Sequence, residues 1–552
     1  MNGGRRLLCM VAMIPVSLFS AGKHKPLQPA FQTSDRCFAC HNGMQTAAGE
    51  DVSIGFDWRS SMMANSSRDP YWQAAVRREL IDHPEAKAEI EDECSACHMP
   101  ITRYDAKVQG KKGGVFEHLP FIPAEKSGKE AADGVSCSVC HQIGKQGLGT
   151  RESFNGGFVI DPPDAFDNRP EYGPFEIEKG QTRIMRSSSE GYRPVKSDHI
   201  RQSELCATCH TLYTKALGAG GKVVGELPEQ MIYQEWLNSD FKDKQSCQSC
   251  HMPVIKEEVP ITKILGIPRE GVSRHIFVGA NFFMQRMLNK FRADLAVWAL
   301  PNELSNAADN TVRFLESQAA TVSLAAPVLR GGRLETEITV ENKGGHKLPT
   351  AYPSRRAWLH VVVRDAAKKT VFESGALRAD GYIEGNDNDA DAEKFEPHYS
   401  AISEPGQVQI YESVMAGENG RITTGLLSAV RYVKDNRLLP KGFDKAGAGQ
   451  DIAVQGEAAG DTDFTGGSDK VRLSVAVGTA AGPFEVEAEL LYQPIGYRWA
   501  NNLKKYDAME PKRFTSYYDA MTGATAARIA GAARRQTLNL PQAAIIRING
   551  RF

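Results

Sequence analysis

The second half of the chain alternates apolar and polar residues with a period of two. The alternation is clearest at 333–342, 356–365, 407–415, 470–478 and 484–493, and turn-rich spacers separate these segments. A period of two is typical of strands that bury one face. Several short strands at this spacing predict an all-β, sandwich-like domain over 319–552, and an immunoglobulin-like topology is one arrangement that fits.

The first half of the chain shows short helical signals instead. Asp69 is a suitable N-cap for a helix whose first residue is Pro70, and that helix should end before Pro84. A second helix should run from Pro84 to Cys94. Ser203 is predicted to cap a third, short helix.

Longer segments separate and follow these helices. Residues 111–135 and 143–200 are rich in Gly, Pro and Ser and are predicted to be long loops. Residues 281–318 read as a helical segment broken near Pro301, which would link the two halves.

The first 22 residues are typical of a secretory signal peptide. MNGGRR supplies the positive start, LLCMVAMIPVSLFSA a short apolar run, and SAG at 20–22 the small residues for cleavage near Gly22. We therefore predict an exported protein, periplasmic or extracellular. An uncleaved membrane anchor is the alternative, which the short apolar run disfavours.

Composition adds mainly exclusions. The chain has 552 residues, enough for two or more domains, and a net charge of −1. That charge gives no electrostatic case for nucleic-acid binding or for an anionic membrane surface. Membrane association is expected to be indirect only.

The cysteines carry the chemistry. Cys9 falls within the signal peptide, and the other ten form five C-x-x-C pairs, each followed at once by a histidine. The motifs, numbered one to five in chain order, are Cys37/Cys40/His41, Cys94/Cys97/His98, Cys137/Cys140/His141, Cys206/Cys209/His210 and Cys247/Cys250/His251.

C-x-x-C-H is the attachment motif of c-type haem, in which two thiols bind the porphyrin and the histidine is the proximal iron ligand. Disulfides do not require the histidines, and zinc ribbons use two C-x-x-C pairs per metal, which leaves one pair over. Five trailing histidines by chance have odds on the order of 10⁻⁸. We therefore predict five covalent haems c, no disulfide and no cysteine nucleophile.

This chemistry fixes the predicted organisation. Residues 1–22 are the signal peptide, 23–280 a pentahaem domain, 281–318 a helical linker and 319–552 the β domain. So short a haem-bearing segment cannot build an ordinary aliphatic core. The fold class is accordingly multi-domain, with a mostly irregular and α-helical multihaem domain followed by an all-β sandwich-like domain.

The motifs, with CHMP at both 97–100 and 250–253, resemble those of the multihaem cytochrome c superfamily, which includes pentahaem nitrite reductases and hydroxylamine oxidoreductases. DWRSSMMANSSRDPYW, DGVSCSVCHQI and GGHKLPTAYPSRRAW are similar to a branch of exported multihaem cytochromes with an appended β domain. The superfamily also includes smaller electron-transfer cytochromes, and the resemblance to this branch implies no settled substrate. Pentahaem nitrite reductases carry lysine in place of one proximal histidine, and this chain has no C-x-x-C-K, so their activity is not implied.

The distal iron ligands decide between electron transfer and catalysis, because a haem with two protein ligands transfers electrons and one with an open position can bind a small molecule. Eight histidines lie outside the motifs. His360 alternates within a strand, His398 reads as a loop residue, and His24 lies near the mature N-terminus. The candidate distal ligands are His83, His118, His199, His275 and His346.

His346 is the candidate that would join the two domains. Gly344 and Gly345 allow a close approach of the backbone to a porphyrin, and Pro349 and Pro353 stiffen the far side of the loop. Arg355 and Arg356 are predicted to pair with haem propionates. The alternative is a histidine that stabilises its own turn.

Two weaker features complete the candidates. Met62 and Met63 could ligate the first haem, although packing against a porphyrin face is the simpler interpretation. Asp387, Asp389 and Asp391 resemble the start of a calcium loop, but the glycine at its sixth position is missing, so a solvated turn over 387–393 is the default.

Two functions are consistent with these residues. The first is an electron-transfer cytochrome that works between redox partner proteins, and we favour it. The alternative is a reductase or oxidase of a small nitrogen or sulfur oxyanion at one five-coordinate haem. The sequence does not identify donor, acceptor or oligomeric state.

Overall fold

The computed structural model describes residues 30–161 and 168–536, so the predicted signal peptide and His24 lie outside the described residues. Helices dominate the first half and strands the second. The α-helices are Asp35–Phe38, Ile54–Arg59, Pro70–Asp82, Lys87–His98, Pro100–Val108, Lys126–Ala132, Cys137–Cys140, Lys179–Ser188, Ser203–His210, Ile232–Leu237, Cys247–His251, Phe282–Lys290, Pro301–Gln318, Asp387–Ala390, Tyr497–Asn502 and Met509–Asp519.

The predicted helices around motif two are confirmed. Pro70–Asp82 begins after Asp69, whose carboxylate accepts hydrogen bonds from the backbone N–H groups of Tyr71 and Trp72. Lys87–His98 follows a single 3₁₀ turn, Pro84–Ala86. Ser203, in contrast, is the first residue of its helix and not the cap, so that prediction is wrong. Its hydroxyl accepts instead from the backbone N–H of Cys247, which ties motif five to the helix of motif four.

The predicted loops contain regular structure that their Gly and Ser content concealed. Helix Lys126–Ala132 lies within 111–135, and helix Lys179–Ser188 lies within 143–200 beside the parallel strands Arg169–Gly173 and Tyr192–Lys196. Gly128 has a packing reason inside its helix, because a Cβ there would lie 2.3 Å from the carbonyl oxygen of Ile122.

The second half forms two five-stranded sheets. Sheet A joins Thr370–Ser374, Arg356–Arg364, Glu485–Gln493 and Ala527–Arg535 in that order, with Ile410–Tyr411 also on Arg356–Arg364. Sheet B joins Ala401–Ile402, Ser468–Ala476, Arg333–Asn342 and Ala320–Leu324, with Val328–Arg330 on Arg333–Asn342. The remaining strands are the pair Thr211–Leu217/Val223–Met231, the pair Val259–Pro260/Pro268–Arg269 and the sheet Ile422–Thr423/Ser413–Gly417/Ala429–Asp435.

The two large sheets pack face to face as the alternating pattern predicts. Leu359 and Leu490 of sheet A share one hydrophobic core with Ile338 and Leu473 of sheet B. The predicted strand 407–415 divides at Glu412, whose backbone N–H is taken by the Asn436 side chain. Its two parts join different sheets, which a single alternating run does not reveal.

The helical segment after motif five breaks at Pro301 as predicted, into Phe282–Lys290 and Pro301–Gln318. Its apolar residues lie in the same core as the sheets and as Tyr71 of the first half. The last helix, Met509–Asp519, returns to Pro70–Asp82, where Phe514 packs on Tyr71 with ring centres 5.0 Å apart. The core is therefore continuous between the halves, and the predicted domain boundaries stay a prediction.

Within 30–161 and 168–536, no helix combines the length and the apolar character that crossing a membrane requires.

Candidate haem-binding site

All five C-x-x-C-H motifs line one cavity of about 1410 Å³ between the helices of the first half and the loop 343–355. Each motif lies in or directly after a short helix, and one helical turn places the two cysteines three residues apart on the same face. Ser136 and Ser246 cap the helices of motifs three and five by accepting from the backbone N–H three residues later. The local sequence thus directs both thiols and the following histidine toward one space.

The motif histidines present the nitrogen that a metal needs. A ring nitrogen that faces a backbone carbonyl must carry the proton, which leaves the other nitrogen free to bind iron. The Nδ1 atoms of four motif histidines lie within hydrogen-bond distance of a carbonyl oxygen. The pairs are His41 with Ile261 (2.7 Å), His98 with Ser66 (2.9 Å), His141 with Tyr172 (2.6 Å) and His251 with Val278 (2.5 Å).

Burial keeps these imidazoles in the neutral form. Desolvation lowers the pKa of His98 and of His210 to about 4 and lowers the pKa of His41, His141 and His251. Trp72 also stacks on the His98 ring, with centres 4.3 Å apart and planes 3° apart. Nothing in the sequence marks Trp72 for this role, because it precedes His98 by a whole helix.

Two candidate distal histidines face motif histidines across the cavity. His275 lies opposite His141 with ring centres 6.4 Å apart, and His346 lies opposite His251 with centres 6.3 Å apart. A metal–imidazole bond is about 2 Å and a ring nitrogen lies about 1.1 Å from its ring centre, so two imidazoles on one metal have centres about 6.2 Å apart. Both pairs match this separation.

The protonation of these two histidines fits the same purpose. His275 Nδ1 lies 3.1 Å from the Ser273 carbonyl oxygen, and His346 Nδ1 lies 2.9 Å from that of Lys347. Their Nε2 atoms are therefore available to a metal.

The other three candidates do not line the cavity. His199 has both ring nitrogens engaged, Nδ1 by the Ser197 hydroxyl at 2.6 Å and Nε2 by the Ile143 carbonyl at 2.8 Å. His83 is buried with Nε2 3.2 Å from the Ser428 hydroxyl. His118 is half-buried beside Glu117. Sequence position alone did not separate these three from His275 and His346.

Neighbouring motifs meet through their thiols. The Cys37 thiol lies beside Cys137, Cys209 beside Cys97, and Cys206 beside Cys247, and in each pair the neighbouring thiol raises the pKa of the first-named one. Cys140 also lies close enough to raise the pKa of Cys206 and Cys209 through its charge. Motif one therefore adjoins motif three, and motif four adjoins motifs two, three and five. None of the ten thiols forms a disulfide in the part of the chain described.

Motif four has different surroundings from the others. No described residue forms a hydrogen bond with the His210 ring, and, as at motifs one and two, the described residues place no histidine opposite it. The charge of Arg355 instead helps to lower the pKa of His210, after burial and the charge of His251. Arg355 lines the cavity with Tyr71 and Tyr352.

Arg356, unlike Arg355, does not line the cavity. Its guanidinium is buried in a bidentate pair with Asp389, at 2.8 and 2.9 Å. Arg356 therefore serves the β half and not a haem propionate, contrary to the prediction. The same pair occupies the middle carboxylate of the candidate calcium loop. Met62 and Met63 both line the cavity.

A second cluster of ligand-type atoms lies in the β half. Three buried atoms there have no hydrogen-bond partner among the described residues: Nε2 of His398, one carboxylate oxygen of Asp461 and one of Asp469. The ligand-type atoms of these residues lie within 4.8 Å of one another. The side-chain amides of Gln409 and Asn436 both donate to His398 Nδ1, because their oxygens already accept backbone N–H groups. The proton must then sit on Nε2, so His398 faces the carboxylates as a donor and not as a metal ligand.

Comparison with known proteins adds one result on the fold. Neither a protein-family model nor a curated protein matches the sequence. Among solved structures, the chain is similar to a penta-heme cytochrome c552 from Thermochromatium tepidum, with a TM-score of 0.50 and 14% identity over 92% of this chain and 99% of that chain. At this identity the similarity shows a shared fold, and it spans both the half that carries the C-x-x-C-H motifs and the β half.

Proposed function

We propose that this protein is an exported pentahaem c-type cytochrome that carries electrons between redox partner proteins. The observation that carries the proposal is the convergence of all five C-x-x-C-H motifs on one cavity, in a chain that shares its fold with a penta-heme cytochrome. The partners themselves are unidentified.

In this proposal the ten motif cysteines attach five haems and the five motif histidines are proximal ligands. The bound haem supplies an iron that changes oxidation state at a potential set by its ligands and its burial. The chain orients four of the five imidazoles through a backbone carbonyl, and burial holds all five in the neutral form. Those are the contributions that an electron carrier requires from its protein.

His275 and His346 are the proposed distal ligands of motifs three and five. Each faces a motif histidine at the separation that one iron requires, with its Nε2 free. His83, His118 and His199 are not included, because they lie outside the cavity lining. A haem with two histidine ligands has no open position, which favours electron transfer at these two motifs.

The thiol contacts support a continuous path. Motif one adjoins three, three adjoins four, and four adjoins two and five. No motif is isolated from the rest, so an electron that enters at any of them can reach the others through neighbouring haems. Motif four is the branch point, and motifs one, two and five are the ends where partners would dock.

A reductase or oxidase at motif four is the second candidate. It rests on the surroundings of His210, where the described residues supply a guanidinium, Arg355, and no facing histidine. An open iron beside a fixed positive charge suits a small anion such as a nitrogen or sulfur oxyanion. Arg355 would hold the anion by a charge-assisted hydrogen bond.

One set of measurements tests both candidates. Intact mass should give five covalent haems per chain, and free thiols after denaturation would contradict the proposal. The oxidised protein is then titrated with azide and assayed with nitrite and hydroxylamine. The electron carrier predicts no turnover and no azide binding, whereas the enzyme predicts about one anion per chain. In the latter case Arg355→Ala should weaken anion binding, and unchanged binding would exclude Arg355 from the site.

A further inference from the structure

Four charged side chains form a buried cluster beside His346. Lys347 follows the histidine directly, Glu235 lies on the helix Ile232–Leu237 of the haem-bearing half, and Asp435 and Arg437 lie at the end of a strand in the β half. Glu235 and Lys347 are each 0% exposed, and Asp435 and Arg437 are buried as well. The cluster contains two acids and two bases, so its charges balance.

The contacts within the cluster are short. The Lys347 ammonium lies 2.7 Å from Asp435. Arg437 contacts Asp435 through two nitrogens at 2.8 Å each and lies 3.0 Å from the first carboxylate oxygen of Glu235. Because each charge is paired with a buried partner, removal of one member leaves another uncompensated.

Glu235 makes the contacts that reach the histidine loop itself. Its second carboxylate oxygen accepts from the backbone N–H of Lys347 at 3.1 Å and from the Thr350 hydroxyl at 2.6 Å. One oxygen therefore holds residues on both sides of Pro349, and it belongs to a helix between motifs four and five. The loop is thus bonded to a helix that lies close to motif five along the chain.

The other side of the loop is held by the β half. The Asn342 side chain donates to the His346 carbonyl at 2.8 Å and to the Leu438 carbonyl at 3.0 Å. Leu348 and Leu438 exchange two backbone hydrogen bonds of 2.9 Å. Gly345 lies against the haem-bearing half, where a Cβ would be 3.2 Å from Phe241.

We propose that Glu235 is the positioning residue for His346, and that it keeps the imidazole at ligand distance from His251 across the boundary between the two halves. The proposal rests on the proposed ligation of motif five by His346. Among the described residues the ring bonds only to the adjacent Lys347 carbonyl, so its position depends on how the backbone of the loop is held. Glu235 supplies the hydrogen bonds that tie this backbone to the helix preceding motif five.

The test compares three variants of the full-length haem-loaded protein. Glu235→Ala should convert one further haem in five to a high-spin or carbon-monoxide-binding form while the spin states of the other four stay as in the wild type. Glu235→Gln retains an acceptor for the Lys347 N–H and should restore most of the low-spin signal. Asp389→Asn is the matched control, because it breaks an equally buried ion pair with Arg356 away from the motifs. It should leave all spin states unchanged.

The outcomes separate this proposal from the ligation on which it rests. His346→Ala must open one haem; if it does not, the ligation is wrong and the positioning role falls with it. If His346→Ala opens a haem and a folded Glu235→Ala does not, only the positioning role is refuted. An equal spectral change in Asp389→Asn would also refute it. If Glu235→Ala is not recovered with five haems, Thr350→Val removes one bond to the same oxygen, and a Thr350→Val protein with the spin states of the wild type would overturn the proposal.

Discussion

The two histidine pairs allow the ligation to be tested quantitatively by His275→Ala and His346→Ala. Each pair has its own motif histidine, and the ring separations of 6.4 and 6.3 Å leave room for one iron in each pair. Each substitution should therefore open one of five haems, or about one fifth of the total haem. Because the pairs share no residue, the double variant should open about two fifths.

The assay is the fraction of high-spin iron in the oxidised protein, with carbon monoxide bound per chain in the reduced protein as a second readout. A six-coordinate haem with two histidines is low-spin and has no position for carbon monoxide. Loss of one distal histidine should raise the number of carbon monoxide molecules bound per chain by about one above the wild-type value.

His199→Ala supplies the control. His199 is also buried, but both of its ring nitrogens are bonded to protein groups. Its removal should lower the free energy of unfolding by about 1–3 kcal/mol, through lost hydrogen bonds, and leave the spin states unchanged. A low-spin His346→Ala protein, or an opened haem in His199→Ala, would refute the reasoning from ring geometry.

Three further predictions concern stability and packing. Burial raises the pKa of Asp133 to about 7, although hydrogen bonds from Ser34 oppose the rise. An unfolded aspartate has a pKa of about 3.9, so between these two values the folded state holds an extra proton. The free energy of unfolding should therefore fall as pH rises from about 4 to 7. Asp133→Asn should flatten that dependence, measured by urea unfolding across the range, and an unchanged slope would assign it to another group. Ile338→Ala, between the two sheets, should cost about 2–5 kcal/mol in urea unfolding and leave the haem spectrum unaltered. Gly345→Val should make one haem partly high-spin, because its Cβ would press on Phe241 and displace the loop. Gly449→Ala is the control, since no atom lies within 4 Å of its new Cβ, and its haem spectrum should be unchanged. Equal spectra for the two variants would show that the loop accommodates the larger side chain without moving His346.

The elements that the sequence predicts correctly are those that depend on a single local rule. Asp69 and Pro70 set the start of a helix through capping and a fixed φ, and the strands 333–342 and 484–493 follow from alternation against a buried face. The cap prediction at Ser203 was wrong because the helix begins one residue earlier than expected, with Gln202 at the N-cap position, and the Ser203 hydroxyl accepts from the distant Cys247 N–H. The prediction of a single strand over 407–415 was wrong because neighbouring segments of one alternating run can pair with different sheets.

The candidate site divides in the same way. The five C-x-x-C-H motifs are local patterns, and the sequence specified them fully. Distal ligands are set by which loops meet across the cavity, so His199 and His346 looked equivalent although only His346 faces a motif histidine. Trp72 and Glu235 carry no sequence signal for their contacts, because each depends on an element far away along the chain, whereas Arg355 is singled out by its place in the histidine loop and does line the cavity.

The return of the last helix to the first long one has a consequence for how the chain matures. Met509–Asp519 packs on Pro70–Asp82, and the ion pair between Arg77 and Glu510 joins residues 433 positions apart. Bringing such distant segments together costs only slightly more entropy than a moderate loop, but it cannot begin until both have been made. Until nearly the whole polypeptide has emerged, the apolar side of Pro70–Asp82 lacks its cover and is exposed to aggregation. Shortening the chain before residue 519 should therefore impair the maturation of its beginning.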